Sequence, residues 1–160
     1  CAMTCWVRSA MVTAASVGIR PPAPLDIWLG GSAPAAFRRI GRRADGWLGS
    51  FLTADEARAG RESIQRAAAD AGREIEADHF GLSLAVAGNG LPDAVVAAVR
   101  SRRPDADPAD LLAADWPALH RQIDALVAAG LTKFVIRPVG ETPIDEFIDR
   151  FVEELLPRQN

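Results

Sequence analysis

The chain has 160 residues and a mass of 17.1 kDa, a size that fits one domain or part of a larger one. Hydrophobic residues make up 49% and charged residues 24%, which is typical of a globular protein and excludes extended disorder for most of the chain. The net charge of -3, with no basic stripe interleaved with aromatic residues, argues against nucleic acid as a partner.

The opening segment, CAMTCWVRSAMVTAASVG, lacks the charged-then-apolar order of a signal peptide. No uninterrupted apolar run approaches the ~20 residues that a membrane span needs. The chain begins with Cys1 rather than Met, which suggests a processed, cloned or truncated product. Cys1 and Cys5 have no nearby histidine pair, so we expect ordinary thiols, no metal site and a cytoplasmic protein. Residues 1–24 end in a proline-rich stretch and are predicted to be an irregular lead-in to a domain over 25–160.

The first predicted unit is a short apolar strand over 25–29, followed by a helix that runs to about Arg43. Ser32 is predicted to cap this helix, and Pro34 is tolerated in its first turn, where no N–H partner is lost. Four arginines at helical spacing predict a solvated helix face; they are Arg38, Arg39, Arg42 and Arg43.

The second unit has a strand over 45–51 and a helix that runs to about residue 71. Thr53 and Glu56 have the spacing of a capping box, in which each side chain bonds the backbone N–H of the other residue. Gly72 suits the left-handed position just past the end of this helix.

The third unit has a strand over 80–87, broken by Gly88–Gly90, and a helix over about 92–102. The segment 104–115, PDADPADLLAAD, is predicted to be a loop or a single helical turn.

The fourth unit begins after a helix that Asp115 caps and Gly130 ends. A strand over 132–139 follows, and then a last helix from Thr142 to about Pro157 with a clear apolar stripe.

Strand and helix therefore alternate four times, which indicates an α/β fold with a parallel sheet. Two architectures fit: an open doubly wound sheet, or four units that correspond to half of an eight-unit (βα)8 TIM barrel. A barrel takes about 250 residues for eight units, so four units suit half of one. Such a half would leave two strand edges unpaired and its inner face uncovered. We expect it to be stable only if it dimerises, wraps differently or belongs to a longer chain.

In either architecture a ligand binds at the carboxyl ends of the strands. The residues predicted there are Gly30, Gly31, Ser32, Ser50, Phe51, Gly88–Gly90 and Arg137. Glycines let a backbone approach a ligand closely, and a helix N-terminus favours an anion such as phosphate. The alternative for Gly30–Ser32 is a tight turn with an ordinary serine cap. Arg137 is either a ligand contact or part of an ion pair at the rim.

Other candidate catalytic groups are scarce. His79 stands at the start of its strand, away from the expected site, and a structural role is predicted for it. His120 is expected to be solvated on its helix, and Asp45 fits the turn between helix and strand. No Ser-His-Asp order or carboxylate pair is visible, so redox chemistry would need a cofactor.

The segment PLDIWLGGSAPAAFRRIGRRADGW resembles the luciferase-like flavin and deazaflavin oxidoreductases. In that family a strand ends in a Gly-Gly-Ser type turn, an arginine-containing helix follows, and the next strand starts with a Gly-Asp-Gly-Trp-like element, here Ala44–Trp47. AAADAGRE, DHFGLSLAVA and AAGLTKFVIRPVG resemble the family's later elements, in the family's order. The KFVIRP form resembles the coenzyme F420-dependent subgroup more than the FMN-dependent one.

The resemblance implies the carboxyl-terminal half of an eight-unit barrel oxidoreductase, homodimeric in the parent family, that acts on a small-molecule substrate. It implies F420, or alternatively FMN, as cofactor, with Gly30, Gly31 and Ser32 near its phosphate-bearing tail. The family's first four strands have no counterpart in these residues. Three hypotheses therefore stay open: an enzyme that transfers hydride, a non-catalytic half barrel that binds a phosphate-bearing ligand or a partner, and an unrelated small α/β domain.

Overall fold

The structure is a computed structural model that describes residues 25–88, 90–140 and 142–158. The predicted lead-in over residues 1–24, with the thiols Cys1 and Cys5, lies outside these residues, as does Asn89. Within the described part, one four-stranded sheet has all its strands parallel and in chain order. The strands are β1 (Trp28–Leu29), β2 (Gly46–Ser50), β3 (Phe80–Ala87) and β4 (Lys133–Val139).

Six α-helices lie between and after these strands in the described residues. They are α1 (Pro34–Arg43), α2 (Ala54–Ala69), α3 (Asp93–Arg102), α4 (Pro108–Leu111), α5 (Trp116–Ala128) and α6 (Ile144–Leu155). A 3₁₀ turn, Leu156–Arg158, follows α6. The repeated strand–helix order is the one that the sequence predicts.

The main core lies on one face of the sheet. Alternate residues of β3, such as Leu82 and Leu84, point into it. Each of the four long covering helices contributes a buried side chain; these are Ile40 (α1), Ile64 (α2), Leu119 (α5) and Phe147 (α6). These four helices cover the same face and only α3 lies over part of the other, so the sheet is a barrel-like arc, whereas an open doubly wound sheet carries its connecting helices on both faces.

The opposite face of the sheet is largely uncovered. Ser83, Val135 and Arg137 lie on it, and Val135 is 45% exposed although it is a large apolar residue. The edge strands β1 and β4 each have a single strand partner among the described residues. Among the described residues, the sheet therefore has two edges without a strand partner and a largely bare inner face.

The first strand is shorter than predicted, because residues 25–27 do not join the ladder. The Ile27 N–H donates to the Asp45 carboxylate at 2.9 Å, and the Asp45 N–H donates to the Ile27 carbonyl at 2.8 Å. A side chain thus takes the place of a strand partner, and Leu25 stays 62% exposed. Strand β3 has the predicted bounds, and β2 and β4 differ from prediction by one residue at their ends.

The predicted helix ends are mostly confirmed. Thr53 and Glu56 form a complete capping box, and the Asp115 carboxylate accepts the Ala118 N–H at 2.7 Å. Gly72 has the expected positive φ of 67°. The segment 104–115 contains the single turn α4, but Ala113 also pairs with Val86 in parallel beyond the end of β2, which the sequence did not predict.

Gly41 allows α1 and α2 to pack closely. A Cβ atom there would lie 2.6 Å from the Ile64 carbonyl oxygen and 2.7 Å from the Ala68 nitrogen, both backbone atoms of α2. Replacing Gly41→Ala should therefore force α1 and α2 apart. We expect a net loss of about 2 kcal/mol in the free energy of unfolding, because the overpacking exceeds the gain in helix propensity.

Urea unfolding measures this effect. The matched control is Arg42→Ala on the same helix, which is exposed and should change stability by less than about 0.5 kcal/mol. Equal stability of Gly41→Ala and the native chain would contradict the close packing of the two helices.

Candidate functional site

The Gly30–Ser32 turn lies at the carboxyl end of β1 and is fully exposed to solvent. Its backbone is held by the core, because the indole Nε1 of the buried Trp47 donates to the Gly31 carbonyl at 3.0 Å. Gly31 has φ 116°, and a Cβ atom there would lie 2.9 Å from the Ala36 side chain. Position 31 therefore requires glycine. Without a side chain there, a ligand can approach the backbone closely.

The predicted role of Ser32 as the helix cap is wrong. The N-cap of α1 is Ala33, which has no side-chain cap, and the Ala36 and Phe37 N–H groups bond the Ala33 carbonyl. Pro34 at the first helical position offers no N–H, so this helix start has fewer amide donors for an anion than predicted. The Ser32 hydroxyl makes no hydrogen bond within the described residues and is available to a ligand.

Arg137 lies on the uncovered face of β4, opposite Ala85 of β3. Its Nε donates to the Ser83 hydroxyl at 3.1 Å, and it is exposed. Among the residues that the structure describes, Arg137 has no ion-pair partner, and the ligand contact and the rim ion pair both stay predictions. The guanidinium is held across the sheet by its hydrogen bond to Ser83.

Helix α3 covers the carboxyl end of this same face. It packs Val99 on Ala85, with Phe51, Val95 and Val139 around them. An open groove of about 630 Å³ runs between α3 and the sheet, and Arg137 lines it together with these apolar residues. The groove is mostly apolar with two cationic groups, Arg102 and Arg137, the composition usual for a small-molecule site.

Phe51 has a special position in this groove. Its φ of 60° is in the left-handed region, which a bulky residue rarely adopts. The Arg103 guanidinium donates to the Phe51 carbonyl at 2.9 Å and to Glu56 at 2.7 Å. Arg103 thereby ties the end of α3 to the carboxyl end of β2 and holds Phe51 in its strained conformation.

The predicted site residues form two groups and not one. Phe51 and Arg137 meet at the groove, whereas Gly30–Ser32 lies beyond β1 at the other edge of the sheet. Strands β1 and β4 are three strand spacings apart, or about 14 Å along the sheet at 4.8 Å each. Gly88 and Gly90 are exposed after β3, and Gly88 lines a smaller cavity of about 150 Å³ with Thr142.

Three features of the site were missed from the sequence. They are the hydrogen bond from the Trp47 indole to Gly31, the hydrogen bond from Arg137 to Ser83, and the position of α3 over the inner face. All three depend on contacts between residues that are distant in the chain. A buried indole N–H usually has a hydrogen-bond partner, so a hydrogen bond from Trp47 could have been predicted, although not its acceptor. No sequence signal distinguishes α3 from a helix on the outer face.

The two histidines have different surroundings. His79 is structural, as predicted: its Nδ1 bonds the Asp45 carbonyl at 2.9 Å at the amino end of β3. The prediction that His120 is solvated is wrong, because it is half-buried between α5 and α6 with Nε2 3.6 Å from the Glu154 carboxylate. Neither histidine reaches the groove.

A cluster at the amino end of β3 has the composition of metal ligands. One ligand atom from each of Glu76, Asp78 and His79 lies within 4.8 Å of the others. Asp78 is already paired with Lys133 at 3.0 Å, and this hydrogen bond holds the pKa of Asp78 below its ordinary value. The cluster lies at the opposite end of the strands from the groove, so it has no part in the candidate site.

None of the described helices is long and apolar enough to cross a membrane.

The fold and this site define half of a (βα)8 barrel with its ligand end at the carboxyl ends of the strands. The model of the luciferase-like monooxygenase family matches residues 7–150. The chain therefore belongs to the luciferase-like monooxygenase family, whose members include F420- and FMN-dependent enzymes. No curated protein sequence matches the chain.

Solved structures support the fold. An F420-dependent secondary alcohol dehydrogenase, in complex with an F420–acetone adduct, is similar with a TM-score of 0.66 and 14% identity, over 88% of this chain and 51% of that one. The coenzyme F420-dependent tetrahydromethanopterin reductase from Methanopyrus kandleri gives 0.57 and 18%, over 85% and 51%. The oxygenating constituent of 3,6-diketocamphane monooxygenase from Pseudomonas putida, a type II Baeyer–Villiger monooxygenase in complex with FMN, gives 0.60 and 17%, over 86% and 50%. The chain spans about half the length of these structures.

The ion pair between Arg103 and Asp105, just after α3, leads to a prediction about the pH dependence of stability. The Arg103 hydrogen bond lowers the pKa of Asp105, so this carboxylate stabilises the fold above its unfolded pKa of about 3.9 and loses that effect as the pH falls through its lower folded pKa. Asp105→Asn should therefore be less stable than the native chain at about pH 6, and the difference should shrink below about pH 4.

Urea unfolding of both proteins across this pH range measures the difference. Asp110→Asn is the control, since Asp110 lies on the nearby α4 and has no ion pair in the described part of the chain. A difference that does not change with pH would contradict the assigned role of the Asp105 carboxylate.

Proposed function

We propose that the chain is part of an oxidoreductase that transfers hydride between a reduced deazaflavin or flavin and an organic substrate. The observation that carries this proposal is the groove between α3 and the inner sheet face, which lies at the carboxyl ends of the strands. Membership of the luciferase-like family supports the proposal, because structures similar to this chain include an F420-dependent and an FMN-bound enzyme. The proposed cofactor is coenzyme F420, with FMN as the alternative.

The residues present fit parts of such a cofactor. At the edge of β1, the bare backbone of Gly30 and Gly31 and the Ser32 hydroxyl suit a phosphate-bearing tail. In the groove, Phe51 and the neighbouring valines offer an apolar surface to a flat ring, and Arg137 offers a guanidinium to an anionic group of the ring or substrate. When bound, the cofactor ring would supply the hydride chemistry, while these residues orient it and exclude water.

A second candidate is a non-catalytic half barrel that only binds a phosphate-bearing ligand or a partner. One observation favours it: within the described residues, the Gly30–Ser32 turn and Arg137 lie on opposite edges of the sheet.

A cofactor titration distinguishes the two candidates. The purified chain is mixed with F420, and separately with FMN, while the fluorescence of the ring is followed. Saturable binding to the chain alone, followed by reduction of a test substrate, supports the oxidoreductase. Binding without turnover supports the second candidate. No binding of either cofactor, even with a separately produced amino-terminal half barrel of the family, contradicts both.

The Gly31→Val variant tests the role of the turn in that titration. A β-branched side chain would meet Ala36 and cannot easily adopt φ 116°, so the turn must move. We expect cofactor affinity to fall at least about tenfold, the equivalent of one lost hydrogen bond to a charged group. An unchanged affinity would mean that the turn is only structural.

The Gly72→Val variant is the matched control. Gly72 also has a positive φ, of 67°, but lies at the end of α2 with open space around it. Its replacement should cost similar backbone strain and leave cofactor affinity unchanged. Equal losses of affinity in both variants would assign the effect to general destabilisation.

The remaining expectations belong to the same proposal. We propose a small-molecule substrate, a homodimer as in the parent family, and a cytoplasmic location. Nucleic acid and membrane partners have no part in it.

A further inference from the structure

The groove between α3 and the inner face of the sheet is positively charged. Its helix wall carries Arg102, and its sheet wall carries Arg137. Among the described residues that line the groove there is no aspartate or glutamate, and neither arginine has an ion-pair partner in the described part of the chain. Two cations thus lie together in a chain whose net charge is -3. A cleft lined by charge of one sign attracts ligands of the opposite sign.

On the sheet wall, Arg137 is held in a defined position. Its Nε donates to the Ser83 hydroxyl at 3.1 Å, across the pair of strands β3 and β4. A guanidinium has five N–H donors, so this bond leaves four for other acceptors, in the planar fork that matches a carboxylate. The Ser83 hydroxyl accepts from Arg137 and can still donate its own hydrogen. The sheet wall therefore offers a guanidinium fork and a hydroxyl donor to one anionic group.

The helix wall is apolar apart from Arg102. The residues of α3 that line the groove recur along one face of the helix and are Ala94, Val95, Ala98, Val99 and Arg102. From the first to the last of them the helix advances about 12 Å, at 1.5 Å per residue. The two alanines have small side chains, which leave room between helix and sheet. The groove of about 630 Å³ therefore suits an apolar body that carries an anionic group.

The charge of the proposed cofactor does not account for these two arginines. In the proposed function, the phosphate-bearing tail lies at the Gly30–Ser32 turn, at the other edge of the sheet. The two guanidiniums are then left for a second anion. Contact with the valines and alanines gives affinity for an apolar body, while charge-assisted hydrogen bonds select the group that it carries.

We infer that the groove binds an organic carboxylate with an apolar body. Arg102 and Arg137 hold the carboxylate from the two walls, and the apolar body lies against Val95, Val99 and Phe51. A carboxylate is the group that a guanidinium fork pairs with through two parallel hydrogen bonds. Only the further step of calling this ligand the substrate of the oxidoreductase rests on the proposed function; the binding itself does not.

The first test compares two probes that differ in the charge of one group. 2-Naphthoate carries a carboxylate on a two-ring apolar body, and 2-naphthamide carries a neutral amide on the same body. In calorimetric titrations of the chain, 2-naphthoate should bind at least about tenfold more tightly, because its hydrogen bonds to the guanidiniums are charge-assisted. Equal affinities would overturn the inference, and so would the absence of binding by either probe.

The second test removes the two charges one at a time. Arg102→Gln and Arg137→Gln should each weaken the binding of 2-naphthoate by about three- to tenfold and leave that of 2-naphthamide unchanged, because only the carboxylate loses a partner. Arg100→Gln is the matched control. Arg100 lies on the same helix, is exposed and does not line the groove, so its replacement changes the net charge equally. An equal loss of affinity in this control would overturn the inference.

The third test locates the probe. Ala98→Trp places a large side chain in the groove and should abolish the binding of both probes. Ala97→Trp is the control, since Ala97 is exposed on the same helix and does not line the groove. Circular dichroism and a thermal melt show whether each variant is folded, and the arginine variants decide the question if Ala98→Trp is not. Binding that persists in folded Ala98→Trp would overturn the inference.

The last test distinguishes a substrate from a part of the cofactor. The chain is first saturated with F420, or separately with FMN, and then titrated with 2-naphthoate. A substrate should still bind beside the cofactor. Displacement of 2-naphthoate by the cofactor would assign the two arginines to the cofactor and overturn the substrate assignment. If neither cofactor binds, the proposed function fails, and the first three tests alone decide the carboxylate site.

Discussion

The packing of Trp47 is the contact on which the rest of the first half of the fold depends. This side chain is fully buried, with its ring edge-to-face against Phe37 at 5.6 Å. It passes close to Gly49 and Gly60, where any side chain would collide with neighbouring atoms, and its indole bonds the Gly31 carbonyl. One residue thus joins β2, α1 and α2 to the turn after β1. The exposed turn is ordered because its anchor is inside the core.

A second group of contacts orders the other end of the site. The Arg103 guanidinium is 20% exposed and bonds Phe51, Glu56 and Asp105, so it acts as the hub between α3, β2 and the start of α2. The hydrogen bond to Asp105 raises the pKa of Arg103, so the hub stays charged throughout the physiological range. Arg103 does not line the groove itself, but it fixes Phe51 and the end of α3, which do.

The local parts of the fold could be predicted from the sequence, because they depend on nearby residues. The Thr53 capping box, the Asp115 cap and Gly72 were all predicted from short spacings and are confirmed. The family and the α/β half barrel were also predicted from ordered motifs. The Ser32 cap was wrong because Pro34 shifts the helix start by one residue, which residue preferences alone do not resolve.

The candidate site was predicted only in part. The sequence places Arg137 and Gly30–Ser32 at carboxyl ends of strands, but the order of the strands separates them. His120 was thought solvated because its neighbours along the helix are polar on one side; the packing of α6 over it depends on residues some thirty positions away. Contacts of this kind leave no pattern in the nearby sequence. The groove and the contacts of Arg103 therefore could not be predicted from the sequence.

The order of the strands also has a consequence for how the chain folds. The contacts that join β1 to β2 link residues 18 positions apart, whereas the bond from Thr132 to Asp78 beside β3 and β4 spans 54. Closing the longer loop costs about 1 kcal/mol more in chain entropy. We expect the Trp47 half to form early and β4 to dock late. Until β4 docks, one edge of β3, the longest strand of the sheet, stays unpaired, and that interval is when a nascent chain is most exposed to wrong pairing.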